Sequence, residues 1–450
     1  MKNILVLGAG KSATLLVDYL LQQAGDNEWT IIVGDISREL AEQKIQDHPH
    51  GRAIHFDVFN DELRLQQVRG ADLVISLLPA SMHPIVAADC VREGKNMLTA
   101  SYVSDDIRAL HEDAEKNGVI LLNEMGVDPG LDHMSAMRVL DRLRSDGAVI
   151  KDFETFTGGL VAPDSEGDNP WRYKFSWNPR NVVLSGQGVV KFLQEYKYKY
   201  IPYHRLFRRT EVINIPGYGE FEGYPNRDSL KYRDAYNLHN AKTIFRGTLR
   251  RPGFSRCWNA FVQLGATDDT YVMENSENLT NREFINSFLF YHPYDSVELK
   301  LAHYMNWDHD SSEMYRLHWL GIFDDKPIGI KNATPAQIME HILAQKWLMK
   351  PNDRDMVVMY HKFIYQQDNQ DQQLNAYMVT EGENRDKTAM AKTVGLPLGI
   401  AAKLILQGQI DKSGVQIPTS PEIYEPVLQE LEVHNIIFQE EKSEVKKWGI

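Results

Sequence analysis

Residues 2–16 read KNILVLGAGKSATLL, and this stretch decides the fold. The apolar run Ile4–Leu7 has strand length and is too short for a helix. Gly8, Gly10 and Ala13 follow at G-x-G-x-x-A spacing, and Leu15, Leu16, Tyr19 and Leu20 open an apolar helix. Gly8 permits a tight strand-to-helix turn. Gly10 leaves room for a pyrophosphate against the backbone, and Ala13 lets helix and strand pack closely. Free N–H groups at the helix start then bind phosphate. The spacing alone is a weak signal; its place between a strand and a helix gives it force. Gly8, Gly10, Lys11, Ser12 and Ala13 are therefore expected to hold a dinucleotide.

The next apolar run, Thr30–Val33, leads to Asp35. An acid there accepts from the adenosine ribose hydroxyls and repels a 2′-phosphate, which points to NAD. Arg38 stands close enough to leave NADP open, and Asp35 also reads as an N-cap for the following helix. Ile36 belongs to the same expected cofactor contact. Further strand-like runs are Asp72–Leu78, Asn96–Thr99 and Val119–Asn123, separated by helical stretches such as Ala13–Gln23, His83–Arg92 and Asp105–Asn117. This alternation predicts an α/β fold: a doubly wound parallel sheet with its ligands at the carboxyl ends of the strands. Leu77, Leu78 and Pro79 end one such strand, where a nicotinamide ribose is contacted. His83 follows, either as a base or as a packed residue at a helix start.

After Asp128–Gly130 the texture changes. Leu131–Arg144 reads as helix, and aromatic and β-branched pieces at Phe153–Phe156, Val182–Leu184 and Thr243–Phe245 read as strands of an α+β domain. Helical periodicity dominates from Asn281 to Met349, with Thr334 as N-cap and Pro335 in the first turn. Asp355–Tyr365 and Leu374–Glu381 read as a strand pair around the polar run QQDNQDQQ, and Thr388–Gln407 as a helix with small residues for close packing.

The chain has 450 residues, 49 Lys and Arg against 62 Asp and Glu, and a net charge of −13. That length implies two or three domains, and an acidic surface disfavours nucleic acid. Cys90 and Cys257 are too far apart for a CxxC pair, and two thiols in such a chain suit a reducing compartment. The first apolar run is too short for a signal peptide, and no run approaches the ~20 apolar residues that span a bilayer. The expectation is a cytoplasmic protein without a membrane partner. No HExxH or G-x-S-x-G pattern occurs, so neither a metal nor a serine nucleophile is expected.

The string Asn123–Met134, NEMGVDPGLDHM, resembles the signature of the glutamate-forming saccharopine dehydrogenases. VISLLP at 74–79, TASY at 99–102, GGLVAP at 158–163, DNPWRYKFSW at 168–177, EGYPNRDS at 222–229, RGTLR at 246–250 and AKTVGLPLGIAAKLIL at 391–406 agree with it. The resemblance spans nearly the whole chain. It implies a variant Rossmann domain, 1–128, completed by about 385–450. It also implies an α+β substrate and dimerisation domain, 129–280 and 350–384, with a small helical insertion, 281–349. The implied reaction interconverts saccharopine with glutamate and 2-aminoadipate 6-semialdehyde, in a homodimer. Fungal members use NADP and lack an acid at the Asp35 position; the lysine-degrading branch uses NAD, and this chain resembles that branch. Two departures stand out. Thr157 replaces a Cys that members often carry, so no thiol is available there. Ala80–Ser81 replaces a partly aromatic pair.

Saccharopine carries three carboxylates and a secondary amine, so its site needs cations, an orienting hydroxyl and an acid–base group. Arg227 can clamp a carboxylate through two parallel hydrogen bonds. Arg246, with Gly247 and Thr248, offers a second anion site, and Arg250 lies in the same run. Ser101 and Tyr102 follow the strand Asn96–Thr99 at its ligand-facing end, Ser101 serving substrate and cofactor alike. Asp128 can attract the protonated amine and take its proton, with Tyr102 beside it as the other catalytic candidate. Val127 and Asp128 also border the cofactor. Asp-Pro-Gly equally reads as a turn. Asp132 and His133 cannot share a helix face at that spacing and read as capping and packed residues. Two other functions compete. A carboxynorspermidine dehydrogenase would want acids in place of Arg246 and Arg250, and a non-catalytic dinucleotide sensor would have no need of Tyr102, Asp128 and Arg227 together.

Overall fold

The computed structural model describes residues 1–445; the last five residues of the expected 385–450 segment lie outside the described residues. Contacts divide the chain into two units, Met1–Val149 with Met378–Gln439, and Ile150–Tyr377 with the C-terminal residues from Glu440. The first division therefore falls some twenty residues beyond the 128/129 expectation. Its cause is the helix Leu131–Ser145, which packs with helix Pro421–Val433: Tyr424 Oη donates to Asp141 Oδ2 at 2.8 Å, and Arg138 pairs with Glu432 at 3.0 Å. Residues 281–349 fall inside the second unit.

The first unit is built on β1 (Lys2–Leu7), β2 (Trp29–Asp35), β3 (Gly51–His55), β4 (Leu73–Ser76), β5 (Asn96–Thr99), β6 (Ile120–Leu122) and a further strand, Gly414–Gln416. All pair in parallel, in the order β3-β2-β1-β4-β5-β6-(414–416). The strand order reverses between β1 and β4, which is where such sheets bind ligands. Ile4, Leu5, Val6 and Leu7 are wholly buried, as a strand covered on both faces must be. β3 gives no apolar run in the sequence because it is an edge strand with no buried residue.

Helix α1 (Ala13–Asn27) leaves β1 and is covered by helix Ala389–Leu406, whose N-cap Thr388 accepts from Ala391 N at 3.0 Å. The approach is close because of two glycines. A Cβ on Gly395 would lie 2.7 Å from Leu16 N, and one on Gly399 would lie 2.5 Å from the Tyr19 ring. Against the sequence expectation, Ala389–Leu406 is long and apolar enough by length and composition to cross a membrane, but 72% of it is buried inside the protein. Its apolarity is that of a core helix wrapped by neighbours.

The second unit carries β7 (Val149–Val161), β8 (Val189–Gln194), β9 (Lys197–Pro202), β10 (Glu211–Ile215), β11 (Gly219–Pro225), β12 (Thr243–Arg250), β13 (Asp355–Gln367), β14 (Gln370–Glu381) and the strand Gln439–Ser443. Its path runs β10-β11-β12-β7-β13-β14-(439–443), with β8 joining β12 to β9. β7 and β12 pair in parallel while β10, β11 and β12 pair antiparallel. The QQDNQDQQ run holds the turn, with Asp368 and Asn369 both at positive φ, as a two-residue hairpin requires. Val182–Leu184 is not a strand. Asn178 caps a short helix, Pro179–Val183, by accepting from Asn181 N, and Pro179 sits in its first turn, so local capping overrides β-branched propensity. Thr280 and Thr334 each close a capping box at helix starts in the 281–349 stretch.

Replacing Gly395 with Leu drives a side chain into the backbone of α1. Overpacking of this kind costs about 1–3 kcal/mol. Thermal denaturation should show a Tm lower by roughly 5 °C; an unchanged Tm would mean that α1 and helix 389–406 are not locked together.

Candidate active site

Gly8 adopts φ +103 and gives its N–H to Gly34 O at 2.8 Å; a Cβ there would lie 3.1 Å from Leu77 O. The glycine is thus required twice, by conformation and by the approach of the β4 end. A Cβ on Gly10 would meet nothing within 4 Å, so the loop opens there into free space. Ala13 is buried at the first turn of α1, and Ser12 makes no side-chain cap. Among the described residues, the N–H groups of Gly10, Lys11 and Ser12 meet no acceptor in the protein. A cradle with open space and unengaged N–H groups at a helix start fits the pyrophosphate of a dinucleotide.

Asp35 is not the cap of the following helix; its carboxylate holds backbone instead. Its Oδ2 accepts from Ala9 N at 2.7 Å and its Oδ1 from Ser37 N at 3.0 Å, which ties the end of β2 to the glycine-rich loop. The helix cap itself is Ser37, which accepts from Leu40 N. Ile36 is exposed beside Asp35, Leu77 and Leu78 are half-buried past β4, and Pro79 is exposed. Arg38 pairs with Glu42 on the surface at 2.8 Å.

At the carboxyl ends of β5 and β6 the chain gathers Ser101, Tyr102 and Asp128. Tyr102 Oη donates to Asp128 Oδ1 at 3.3 Å, and both residues are half-buried. Two backbone bonds hold the segments together: Glu124 N to Ser101 O at 3.1 Å and Met125 N to Thr99 O at 3.1 Å. Buried Glu124 reinforces them, its Oε1 accepting from Val103 N at 3.0 Å while its Oε2 meets His133 Nε2 at 2.7 Å. Glu124 was missed in the sequence reading; its only signal was its place inside the Asn123–Met134 string. Asp132 accepts from Gly130 N at 2.6 Å, the capping part expected of it, and His133 is fully buried. Gly130 has φ +144 with Gly126 directly against it; the Asp128–Pro129 bond between them is cis, and buried Val127 lies in the same turn.

His83 is not exposed to any substrate. It is 3% exposed, with Nδ1 at 2.8 Å from Ser76 Oγ and Nε2 at 2.8 Å from Ser101 Oγ and 3.2 Å from Thr99 Oγ1. Burial lowers its pKa to about 4, so the ring is neutral at physiological pH and acts as a packed, bridging group rather than a base at the surface of the site.

In the second unit, Arg246, Thr248 and Arg250 alternate along β12 and so share one face of the sheet. The register sets Thr155 beside Arg246, Thr157 beside Thr248 and Tyr224 opposite Thr248. The face therefore carries guanidinium groups and hydroxyls where a core sheet would carry Val or Ile. The Arg246 guanidinium lies 4.1 Å from the Tyr232 ring centre, and Arg250 lies among Tyr173, Tyr224 and Phe254. Gly247 faces the other way: a Cβ there would strike the Phe156 ring, so packing explains the glycine. Arg227 is exposed in the loop after β11, at φ +50, and its carbonyl accepts from Lys191 N at 3.0 Å. Neighbouring Asn226 donates to Arg246 O at 2.8 Å, which holds this loop against β12. No group of three or more His, Cys, Asp or Glu side chains able to hold a metal occurs among the described residues.

Residues 4–122 match the family described as "Saccharopine dehydrogenase NADP binding domain", and residues 126–437 match "Saccharopine dehydrogenase C-terminal domain". The "Alpha-aminoadipic semialdehyde synthase, mitochondrial" of Rattus norvegicus is 33% identical over 450 residues, covering 98% of this chain and 48% of that protein. The chain thus spans about half the length of this mammalian relative. The "Saccharopine dehydrogenase [NADP(+), L-glutamate-forming]" of Saccharomyces cerevisiae is 33% identical over 453 residues, covering 98% of this chain and 99% of that one. A solved structure, apo histidine-tagged saccharopine dehydrogenase (L-Glu forming) from Saccharomyces cerevisiae, matches with a TM-score of 0.88 at 30% identity, over 99% of this chain and 100% of that one.

The buried neutral His83 gives a pH signature. Its folded pKa lies below the unfolded value, so as pH falls from 6.5 to about 4 the unfolded chain takes a proton that the folded chain refuses. Stability should fall by about 3 kcal/mol over that window. Urea denaturation of wild type and His83→Asn at pH 7 and pH 4.5 checks this: the variant should lose less stability on acidification, and equal losses would contradict it.

Proposed function

The chain belongs to the saccharopine dehydrogenase family, and from that premise we propose that it interconverts saccharopine with L-glutamate and 2-aminoadipate 6-semialdehyde. The observation that carries this reading is the pairing of Tyr102 with Asp128 at the carboxyl ends of the sheet, at 3.3 Å, in the unit that also holds the glycine-rich loop. A carboxylate held by a phenol beside a dinucleotide site suits a substrate whose reacting group is a protonated secondary amine.

A bound nicotinamide dinucleotide supplies the hydride acceptor, or the donor in reverse. Gly8, Gly10, Lys11, Ser12 and Ala13 hold its pyrophosphate, Asp35 and Ile36 its adenosine end, and Leu77, Leu78, Pro79 and Val127 border the rest. Asp128 attracts the substrate ammonium and takes its proton, freeing the nitrogen lone pair. Tyr102 donates to that carboxylate and keeps it aimed. Loss of hydride from the carbon beside nitrogen leaves an imine on the substrate; water adds to it, the C–N bond breaks, and glutamate leaves with the proton that Asp128 returns. Ser101 orients a carboxylate of the substrate; in the second unit Arg227, Arg246 and Thr248 are the groups suited to take a carboxylate through charge-assisted bonds. Alignment and fixed charge supply most of the acceleration.

The named fungal relatives carry NADP(+) in their names. For this chain we propose NAD, because the Asp35 carboxylate sits at the end of β2 where a 2′-phosphate would meet like charge. Absorbance at 340 nm with saccharopine should show turnover with both dinucleotides, with kcat/KM about 10-fold higher for NAD. A preference for NADP would reverse the Asp35 reading, and no turnover with either would remove the proposed activity.

Two substitutions separate chemistry from binding. Asp128→Asn should lower kcat by about 10²-fold or more with little change in the KM for NAD. Arg227→Ala should instead raise the KM for saccharopine by about 10-fold or more. An Arg227→Ala enzyme with wild-type kcat/KM would exclude it as a carboxylate clamp.

A further inference from the structure

Ser76, Thr99 and Ser101 surround the His83 imidazole, and hydrogen-bond accounting assigns its proton. A neutral imidazole has one donor nitrogen and one acceptor nitrogen. Ser76 is wholly buried at the end of β4, and its hydroxyl reaches Nδ1 at 2.8 Å with no other partner among the described residues. Ser76 and Thr99 are both buried hydroxyls whose one acceptor among the described residues is this ring, and only one ring nitrogen accepts; the shorter contact, Ser76 to Nδ1 at 2.8 Å against 3.2 Å for Thr99, takes it, so the ring proton resides on Nε2. Nε2 faces two oxygens, Ser101 Oγ at 2.8 Å and Thr99 Oγ1 at 3.2 Å. One N–H shared between two acceptors is an ordinary three-centre arrangement. The single in-plane lone pair of the other tautomer would have to serve two hydroxyl donors. Thr99 Oγ1 is also an acceptor for Ser101 N, at 3.3 Å. With its oxygen accepting from the ring, Ser101 has its own proton left to give, and this half-buried hydroxyl stands at the carboxyl end of β5.

We infer that His83 is a positioning residue: its Nε2–H fixes Ser101 as a hydrogen-bond donor directed at a carboxylate of the substrate. This rests on the reaction proposed above, and it assigns a job to a buried ring that the chemistry itself does not use. Ser76 sets the ring, the ring sets Ser101, and Ser101 meets the ligand. The shortest path from His83 to a ligand therefore runs through the Ser101 hydroxyl.

Two measurements test it. The ¹⁵N spectrum of the histidine-labelled full chain, assigned through His83→Asn, should show His83 as the Nε2–H tautomer from pH 6 to 8; the Nδ1–H tautomer would overturn the assignment. This readout needs no turnover, so it stands even if saccharopine proves not to be the substrate, a failure that would fall on the proposed function instead. In steady-state kinetics, Ser101→Ala should raise the KM for saccharopine about 10-fold, well beyond any change in the KM for NAD. His83→Asn should do the same, and the double variant should be no worse than Ser101→Ala alone. If the two losses multiply, or if His83→Asn moves the KM for NAD more than Ser101→Ala does, His83 acts through the fold in general and the inference is wrong.

Discussion

At the point where β1 and β4 diverge, two stretches of backbone pass in tight van der Waals contact, and the dinucleotide-binding unit depends on that approach. Gly8 lies against Leu77, while Leu77 N donates to Leu7 O at 2.8 Å. A side chain at position 8 would crowd Leu77 O at 3.1 Å, just past the end of β4, and would be strained at a φ of +103. The glycine pattern therefore does more than admit a phosphate. It sets how near the ends of β1 and β4 lie to each other at the glycine-rich loop.

A second constraint works through buried carboxylates that hold backbone rather than ligand. Asp35 binds Ala9 N and Ser37 N, and Glu124 binds Val103 N and the His133 ring. Each fixes a loop that has no regular structure of its own. Loops fixed in this way cost little to order at the moment of binding, which is the condition for rate enhancement by alignment. The Tyr102–Asp128 pair belongs to loops held by the same Glu124 and by the Gly126–Gly130 turn.

Much of this was legible in the sequence. Parallel strands buried on both faces announce themselves as apolar runs, and the glycine spacing places the cofactor loop because the turn tolerates few other residues. That Ser101 and Tyr102 lie at the carboxyl end of β5 could be read from the strand pattern, whereas Asp128 was singled out mainly by the Asn123–Met134 string. The edge strand β3 was silent because an exposed strand needs no apolar run, and Val182–Leu184 misled because an Asn-Pro start fixes a helix by capping whatever follows it. Glu124, and the direction of the His83 hydrogen bonds, could not be read in advance. Both depend on which atoms meet across loops, and periodicity carries no information about that. The alternation of Arg246, Thr248 and Arg250 was visible, yet its meaning as a polar face emerged only with Thr155, Thr157 and Tyr224 in register beside it.

The central claim is that the site oxidises the carbon on one particular side of the saccharopine nitrogen. Mass spectrometry of the products from saccharopine and NAD tests it directly, because the two sides give different fragments. The account predicts L-glutamate and 2-aminoadipate 6-semialdehyde in equal amounts. Lysine and 2-oxoglutarate, the products of oxidation on the other side, would contradict it.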